Sequence, residues 1–279
     1  MLTETSIAGI SEQLGKVRSH RARVALVPTM GALHDGHLAL VDAARNVADV
    51  VVVSIFVNPL QFGPGEDFAR YPRTLDTDAA KLAEHGATLL FAPSVVEMYG
   101  GGSRTTVTPR SFADSFEGAV RPGHFAGVLT VVAKLFNIVR PHVAVFGRKD
   151  LQQLALIRAM VIDLDFSVEI LPVDTVRERD GLALSSRNGY LDAQSRRRAT
   201  RIRAALVAAK ATFDGGVTGA SDIEATGEAI LAQDRALGVD YFCLVRETDF
   251  ERPYGASSAD SIVTAVRIGG TRLIDNILL

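Results

Sequence analysis

The run Asp49–Val57, DVVVVSIFV, constrains the fold more than any other part of this chain. A strand with one wet face alternates apolar and polar residues. This run does not alternate, so both of its faces need cover, as in a parallel sheet flanked by helices. A second short apolar run, Val24–Val27, stops at Pro28, crosses a turn containing Gly31, and re-emerges as a helix whose buried face is marked by Leu38, Leu40, Val41 and Ala44. Thr88–Ala92, His142–Phe146 and Phe166–Val173 read as further strands. Helices are predicted over residues 3–20, over Thr74–His85 with Thr74 as N-cap, from about Phe125 to Val139 before Pro141, and from the Lys149 turn through Leu164. Residues 105–123 read as irregular. After about residue 175 the pattern changes. Two helical stretches at 192–213 and 221–236 precede β-like runs at 239–246, 261–268 and 271–277. The expected fold is α/β, a Rossmann-like parallel sheet with helices on both faces over 1–175, plus a smaller C-terminal α+β domain over 176–279.

Composition narrows the functional class. A net charge of -2 with a pI near 6.3 offers no global attraction for nucleic acid or anionic membrane, so partners should be small molecules. The single cysteine, Cys243, lies between Phe242 and Leu244 and reads as a small buried hydrophobe. No charged segment followed by an apolar core opens the sequence, and no run of about 18 apolar residues occurs, which sets the expectation of a soluble cytoplasmic protein.

Chemistry concentrates in a few polar turns. His34 and His37 sit three apart where a helix should begin, at its positive end, where a phosphate binds well. Taken alone they read equally as ordinary helix-start residues; as functional groups, two imidazoles there can follow charge developing on a departing pyrophosphate. Metal ligation is the weaker alternative, because no third His or Cys stands at a convincing spacing. Gly147-Arg148-Lys149-Asp150 repeats the strand–turn–helix pattern: Lys149 is placed as a point charge for phosphate, and Asp150 reads as a helix N-cap or a site residue. Leu184-Ser185-Ser186-Arg187-Asn188 offers two hydroxyls and a guanidinium to phosphate oxygens, or forms a capped turn. Gln61 and Gln153 can read a hydroxyl or carboxylate without adding charge. Asp76 and Asp78 could approach a phosphate-held Mg²⁺, though exposed helix-start carboxylates fit them better. Arg196, Arg197, Arg198, Arg201 and Arg203 read as the solvated face of a helix, with no aromatic interleaving for base stacking.

The blocks PTMGALHDGH (Pro28–His37), SIFVNPLQFGPGEDFARYPRT (Ser54–Thr74), RPGHFAGVLTVVAKLFNIVRP (Arg121–Pro141), FGRKDLQQLALIR (Phe146–Arg158), DGLALSSRNGYL (Asp180–Leu191) and TRLIDNI (Thr271–Ile277) together resemble the pantoate:β-alanine ligase (pantothenate synthetase) family, within the HxGH nucleotidyltransferase superfamily. The resemblance implies ATP-driven condensation of (R)-pantoate with β-alanine to pantothenate, AMP and pyrophosphate, with Mg²⁺, in a cytoplasmic homodimer. It implies that Met30, Gly31, Ala32, Leu33, His34, Asp35, Gly36 and His37 line the ATP site, with His37 as proton donor. Gly147, Lys149, Asp150, Val176, Leu184, Ser185, Ser186 and Arg187 would complete it, with Ser185–Arg187 resembling the mobile loop of class I aminoacyl-tRNA synthetases. Gln61 and Gln153 would hold pantoate, Gln61 would also approach β-alanine, and the C-terminal domain would act as a lid. One position departs from the pattern: the family usually carries Glu between the glycine and lysine, where this chain has Arg148.

Overall fold

The computed structural model describes residues 1–110 and 112–279. They form two compact units, one of Met1–Gly147 with Leu156–Val173, the other of Arg148–Ala155 with Asp174–Leu279. Arg148–Ala155, which the sequence reading kept in the first segment, therefore groups with the second.

The first unit carries β1 (Leu2–Glu4), α1 (Ile7–Ser19), β2 (Val24–Thr29), α2 (Asp35–Arg45), β3 (Val50–Ile55), α3 (Leu75–Glu84), β4 (Leu89–Phe91), α4 (Val95–Tyr99), α5 (Glu117–Val120), α6 (His124–Val139), β5 (Val143–Gly147) and β6 (Glu169–Val173). Helix α7 (Leu151–Asp163) joins β5 to β6. All pairings in the six-stranded sheet are parallel, in the order β1-β4-β3-β2-β5-β6. Strand order reverses between β2 and β5, and the crevice beyond the carboxyl ends of such a pair is where open α/β sheets take ligands. Ala25, Val27, Val51, Val53, Val143 and Val145 form one buried face under α2. Leu26, Val52 and Ala144 are also inaccessible to solvent, so the central strands are covered on both sides, as the unbroken apolar runs require.

Two expectations need correcting here. Residues 3–20 are not one helix: Leu2–Glu4 pairs parallel to β4, and α1 begins only after Ser6, whose hydroxyl accepts from the Gly9 N–H at 3.0 Å. A three-residue edge strand has too little pattern to read. Thr74 stands at the N-cap position of α3, as expected, but its side chain caps no backbone N–H: its hydroxyl donates to Asp78 at 3.1 Å. The irregular stretch expected over 105–123 includes Ser111, which lies outside the described residues; elsewhere it contains only α5.

The second unit packs α8 (Ala193–Asp214) and α9 (Ala220–Ala232) on an antiparallel sheet of β7 (Leu237–Val245), β8 (Ser261–Ile268) and β9 (Thr271–Leu278). Its core joins Ile202, Leu206, Ile223, Phe242, Leu244, Ile262 and Val266. α9 ends four residues earlier than the pattern suggested, since Asp234 accepts the Ala236 N–H at 3.1 Å and turns the chain into β7. Burial pushes the Cys243 thiol up to about 12, which keeps it protonated and inert.

Candidate active site

The turn after β2 is shaped by two successive residues with positive φ, Gly31 at 83° and Ala32 at 53°. The first favours glycine on conformational grounds, and a Cβ there would also lie 3.1 Å from Asp78 Oδ2. Asp78, on α3 and only 1% exposed, accepts from the Ala32 N–H through Oδ2 and from the Leu33 N–H through Oδ1, each at 2.9 Å. Lys81, one turn further along α3, donates to the Leu33 carbonyl at 2.7 Å. Asp78 is thus a buried clamp on the turn, not an exposed helix-start carboxylate.

His34 is the N-cap of α2 and His37 stands three residues on. Each ring turns Nδ1 to the backbone: His34 Nδ1 accepts from the Gly36 N–H at 3.2 Å and His37 Nδ1 from the His34 N–H at 3.4 Å, with the ring centroids 4.1 Å apart. A ring whose Nδ1 accepts carries its neutral-form proton on Nε2. Capping through Nδ1 is therefore compatible with a proton on Nε2 in both imidazoles. Asp35 and Gly36 form the first turn of α2 between them.

Gln61 is set in a polar frame that the sequence reading missed. Asn58 Nδ2 donates to Gln61 Oε1 at 3.2 Å and to the Gly127 carbonyl at 3.0 Å, while Gln61 Nε2 meets Met30 Sδ at 3.0 Å. The Gln61 carbonyl accepts from His124 Nδ1 at 2.8 Å and Arg121 Nη2 at 3.2 Å. Arg121 Nη1 donates to His124 Nε2 at 3.0 Å and grips Glu66 through Nε and Nη2 at 2.9 and 2.6 Å. Desolvation, reinforced by the Arg121 charge, lowers His124 to about 4, so the ring stays neutral and can serve both partners. Gly127 lets α6 approach: a Cβ there would come 2.1 Å from the Leu60 carbonyl oxygen. Beside the turn, a cavity of about 330 Å³ is lined by Met30, Gly31, Phe56, Arg73, Thr74 and Asp78 among others, a size that suits a small acid with an apolar body.

In the second unit, Arg148–Asp150 make one 3₁₀ turn leading into α7, with Lys149 Nζ 3.7 Å from Asp150 Oδ2. Arg148, the departure from the family pattern, has its charge met locally: Nη1 lies 3.2 Å from both Glu247 oxygens, and Nε lies 3.2 Å from Asp174 Oδ1. Val176 and Leu184 face each other across a hairpin, the Leu184 N–H donating to the Val176 carbonyl at 3.0 Å. Ser185 then caps a 3₁₀ turn over Ser186–Tyr190, its hydroxyl accepting from the Arg187 N–H at 3.2 Å. Gln153 is half-buried on α7, and Gly147 is the last residue of β5. Arg196 and Arg198 are not a bare solvated face. Arg196 pairs with Glu178 and Asp180, each at 2.7 Å, and Arg198 with Asp234 at 3.1 Å.

Within the first unit, Met30–His37 and Gln61 come together through Met30; within the second, Val176, Leu184 and Ser185–Arg187 share one hairpin and turn. The missed residues Lys81, Asn58, Arg121 and His124, and Asp78, which was singled out in another role, act on partners up to 69 residues away, and no local spacing signals such pairs.

The sequence profile of the Pantoate-beta-alanine ligase family matches residues 3–278. A pantothenate synthetase of Acidothermus cellulolyticus is 50% identical over 275 residues, 96% of this chain and 90% of the relative. The crystal structure of pantothenate synthetase from Thermus thermophilus superposes with a TM-score of 0.94 at 46% identity, covering 100% of this chain and 99% of that one. The pantoate-beta-alanine ligase of Francisella tularensis, complexed with beta-gamma ATP and beta-alanine, gives a TM-score of 0.83 at 32% identity over 100% and 97% of the two chains. A match running almost end to end, over a sheet whose switch-point turn carries the two capping histidines, places this chain in the pantoate-beta-alanine ligase family.

Proposed function

We infer that the chain catalyses ATP-dependent condensation of (R)-pantoate with β-alanine, through a pantoyl adenylate. In the first step a pantoate carboxylate oxygen bonds to the α-phosphorus of ATP as the bond to pyrophosphate breaks. In the second, the β-alanine amine attacks the activated carbonyl, forming the amide and releasing AMP. The observation that carries this reading is the His34–His37 pair, held by its own helix cap at the turn after β2, where the strand order reverses.

Neither step needs a covalent enzyme intermediate, so the residues act by positioning and by stabilising charge. His34 and His37 donate to phosphate oxygens, with His37 following the charge that grows on the leaving group. Met30–Leu33 and Gly36 offer a backbone cradle held by Asp78. Gln61 orients pantoate, and its fixed frame means that little reorganisation accompanies binding. Lys149, Ser185, Ser186 and Arg187 of the second unit are phosphate ligands in this reading, as family membership implies, with Gly147, Asp150, Val176 and Leu184 bordering the nucleotide and Gln153 an amide for pantoate.

Mg²⁺ belongs to the same proposal. Among the described residues no cluster of three or more His, Cys, Asp or Glu could cage a metal, which fits an ion carried mainly by nucleotide phosphates. Asp78 is unsuited, because both of its oxygens accept backbone N–H groups; Asp150, half exposed beside Lys149, is the carboxylate suited to add a ligand. When bound, the ion supplies charge neutralisation on the pyrophosphate. A cytoplasmic homodimer is likewise proposed from family membership; no helix among the described residues is long and apolar enough to cross a membrane.

The test is pantoate-dependent exchange of labelled pyrophosphate into ATP, with AMP released only after β-alanine is added. His37→Ala should slow the exchange by on the order of 10². Exchange with other acids but not pantoate, or AMP release without an amine, contradicts the assignment.

A further inference from the structure

Strand β9 carries a pair of buried polar residues, Asp275 at 3% and Asn276 at 5% exposure, that the reaction described above does not use. Asn276 Nδ2 spends both of its hydrogens on successive carbonyls of the 3₁₀ turn, that of Arg148 at 2.8 Å and that of Lys149 at 3.0 Å. Asp275 takes a two-pronged ion pair from Arg177, with Nη1 on Oδ2 at 2.7 Å and Nη2 on Oδ1 at 3.0 Å. Arg177 also donates to the carbonyl of Gly181, in the turn of the hairpin that leads into Ser185–Arg187, and to that of Asn276, each at 3.1 Å. All of these residues belong to the second unit.

We propose that Asn276 is a positioning residue for Lys149, and that the Asp275–Asn276 pair sets the Lys149 turn against the Ser185–Arg187 segment so that both address the ATP phosphates together. This rests on the reading of Lys149 as a phosphate ligand.

The physical argument is one of backbone control. A lysine side chain has four flexible bonds, so its ammonium is only as well placed as the peptide it hangs from. A single 3₁₀ turn has few hydrogen bonds of its own to hold that peptide, and its carbonyls need partners where water is excluded. One amide bridging two adjacent carbonyls fixes the turn's orientation as well as its place. The ion pair behind it does the same for the hairpin, because a forked guanidinium on a carboxylate allows one geometry. Arg148 adds a second tie on the same turn through Glu247 and Asp174.

The experiment is a double-mutant cycle on the full chain, with Lys149→Ala, Asn276→Ala and the two combined, read as kcat/KM for ATP in pantoate-dependent pyrophosphate exchange. Asn276→Ala should lower that value about tenfold while the KM for β-alanine stays unchanged, and it should have no further effect once Lys149 is alanine. Asn276→Ser, which keeps one donor, should recover part of the loss, and it takes the place of the alanine variant in the cycle if that protein fails to fold. An equal loss in both Lys149 backgrounds, or no loss in either, overturns the positioning role. Lys149→Ala by itself reports on the underlying reading: if exchange survives it undiminished, Lys149 is not a phosphate ligand and the proposal falls with it.

Discussion

Asp78 Oδ1 accepts a hydrogen bond from the Leu33 N–H, and its second oxygen takes the N–H of Ala32, so a carboxylate on α3 holds the histidine turn from behind. Replacing one oxygen with an amide leaves one N–H facing a donor. Asp78→Asn should lower stability by about 1–3 kcal/mol, the usual consequence of a buried group left without its partner. Thermal or urea unfolding measures it. The same change should slow pyrophosphate exchange roughly tenfold by loosening the cradle, whereas full exchange activity would show that the turn keeps its shape without the clamp.

Gly127 is where α6 meets the Gln61 loop. A methyl group there would overlap the Leu60 carbonyl and the Gln61 N–H, neither of which can swing aside as a side-chain tip would. Gly127→Ala should therefore push the loop away and raise the KM for pantoate at least several-fold, with the KM for ATP changed much less. Steady-state kinetics with each substrate varied separately gives the comparison, and a proportional rise in both would point to general damage.

His124 makes stability depend on pH in a defined window. The unfolded imidazole takes up a proton below its ordinary value of 6.5, while the folded one, desolvated and beside Arg121, stays neutral down to about 4. Across that interval the unfolded state binds more protons, so stability falls as pH drops from 6.5 toward 4. The contribution should be roughly 2 kcal/mol, less than the full shift because the ring is partly solvated. Denaturant melts of wild type and His124→Gln over this range test it: the variant should show a shallower decline, and parallel curves would remove His124 as its source.

Periodicity revealed what depends on burial of whole faces. The unbroken run at Val50–Ile55 could only be a strand covered on both sides, and β8, at Ser261–Ile268, lies where its apolar pattern placed it. Short or irregular features escaped: β1 has three residues, and its place is set by pairing with Leu89–Phe91, distant in sequence. For the site, the groups that touch substrate in this reading stand in compact turns and could be picked out as motifs. The groups that hold them could not. Asp78, His124 and Asn276 look like ordinary polar residues until the fold brings each to a backbone atom 45 to 128 residues away. Arg148 illustrates the limit from the other side, since the partners of its charge, Glu247 and Asp174, are distant in sequence and appear only in the fold.

The central claim is that a carboxylate oxygen of pantoate attacks the α-phosphorus of ATP. Pantoate labelled with ¹⁸O in its carboxylate, turned over with ATP and β-alanine and analysed by mass spectrometry of the products, tests this most directly. The adenylate route predicts one labelled oxygen in AMP and none in pyrophosphate. Label in inorganic phosphate with ADP as the nucleotide product, or AMP free of label, would contradict it.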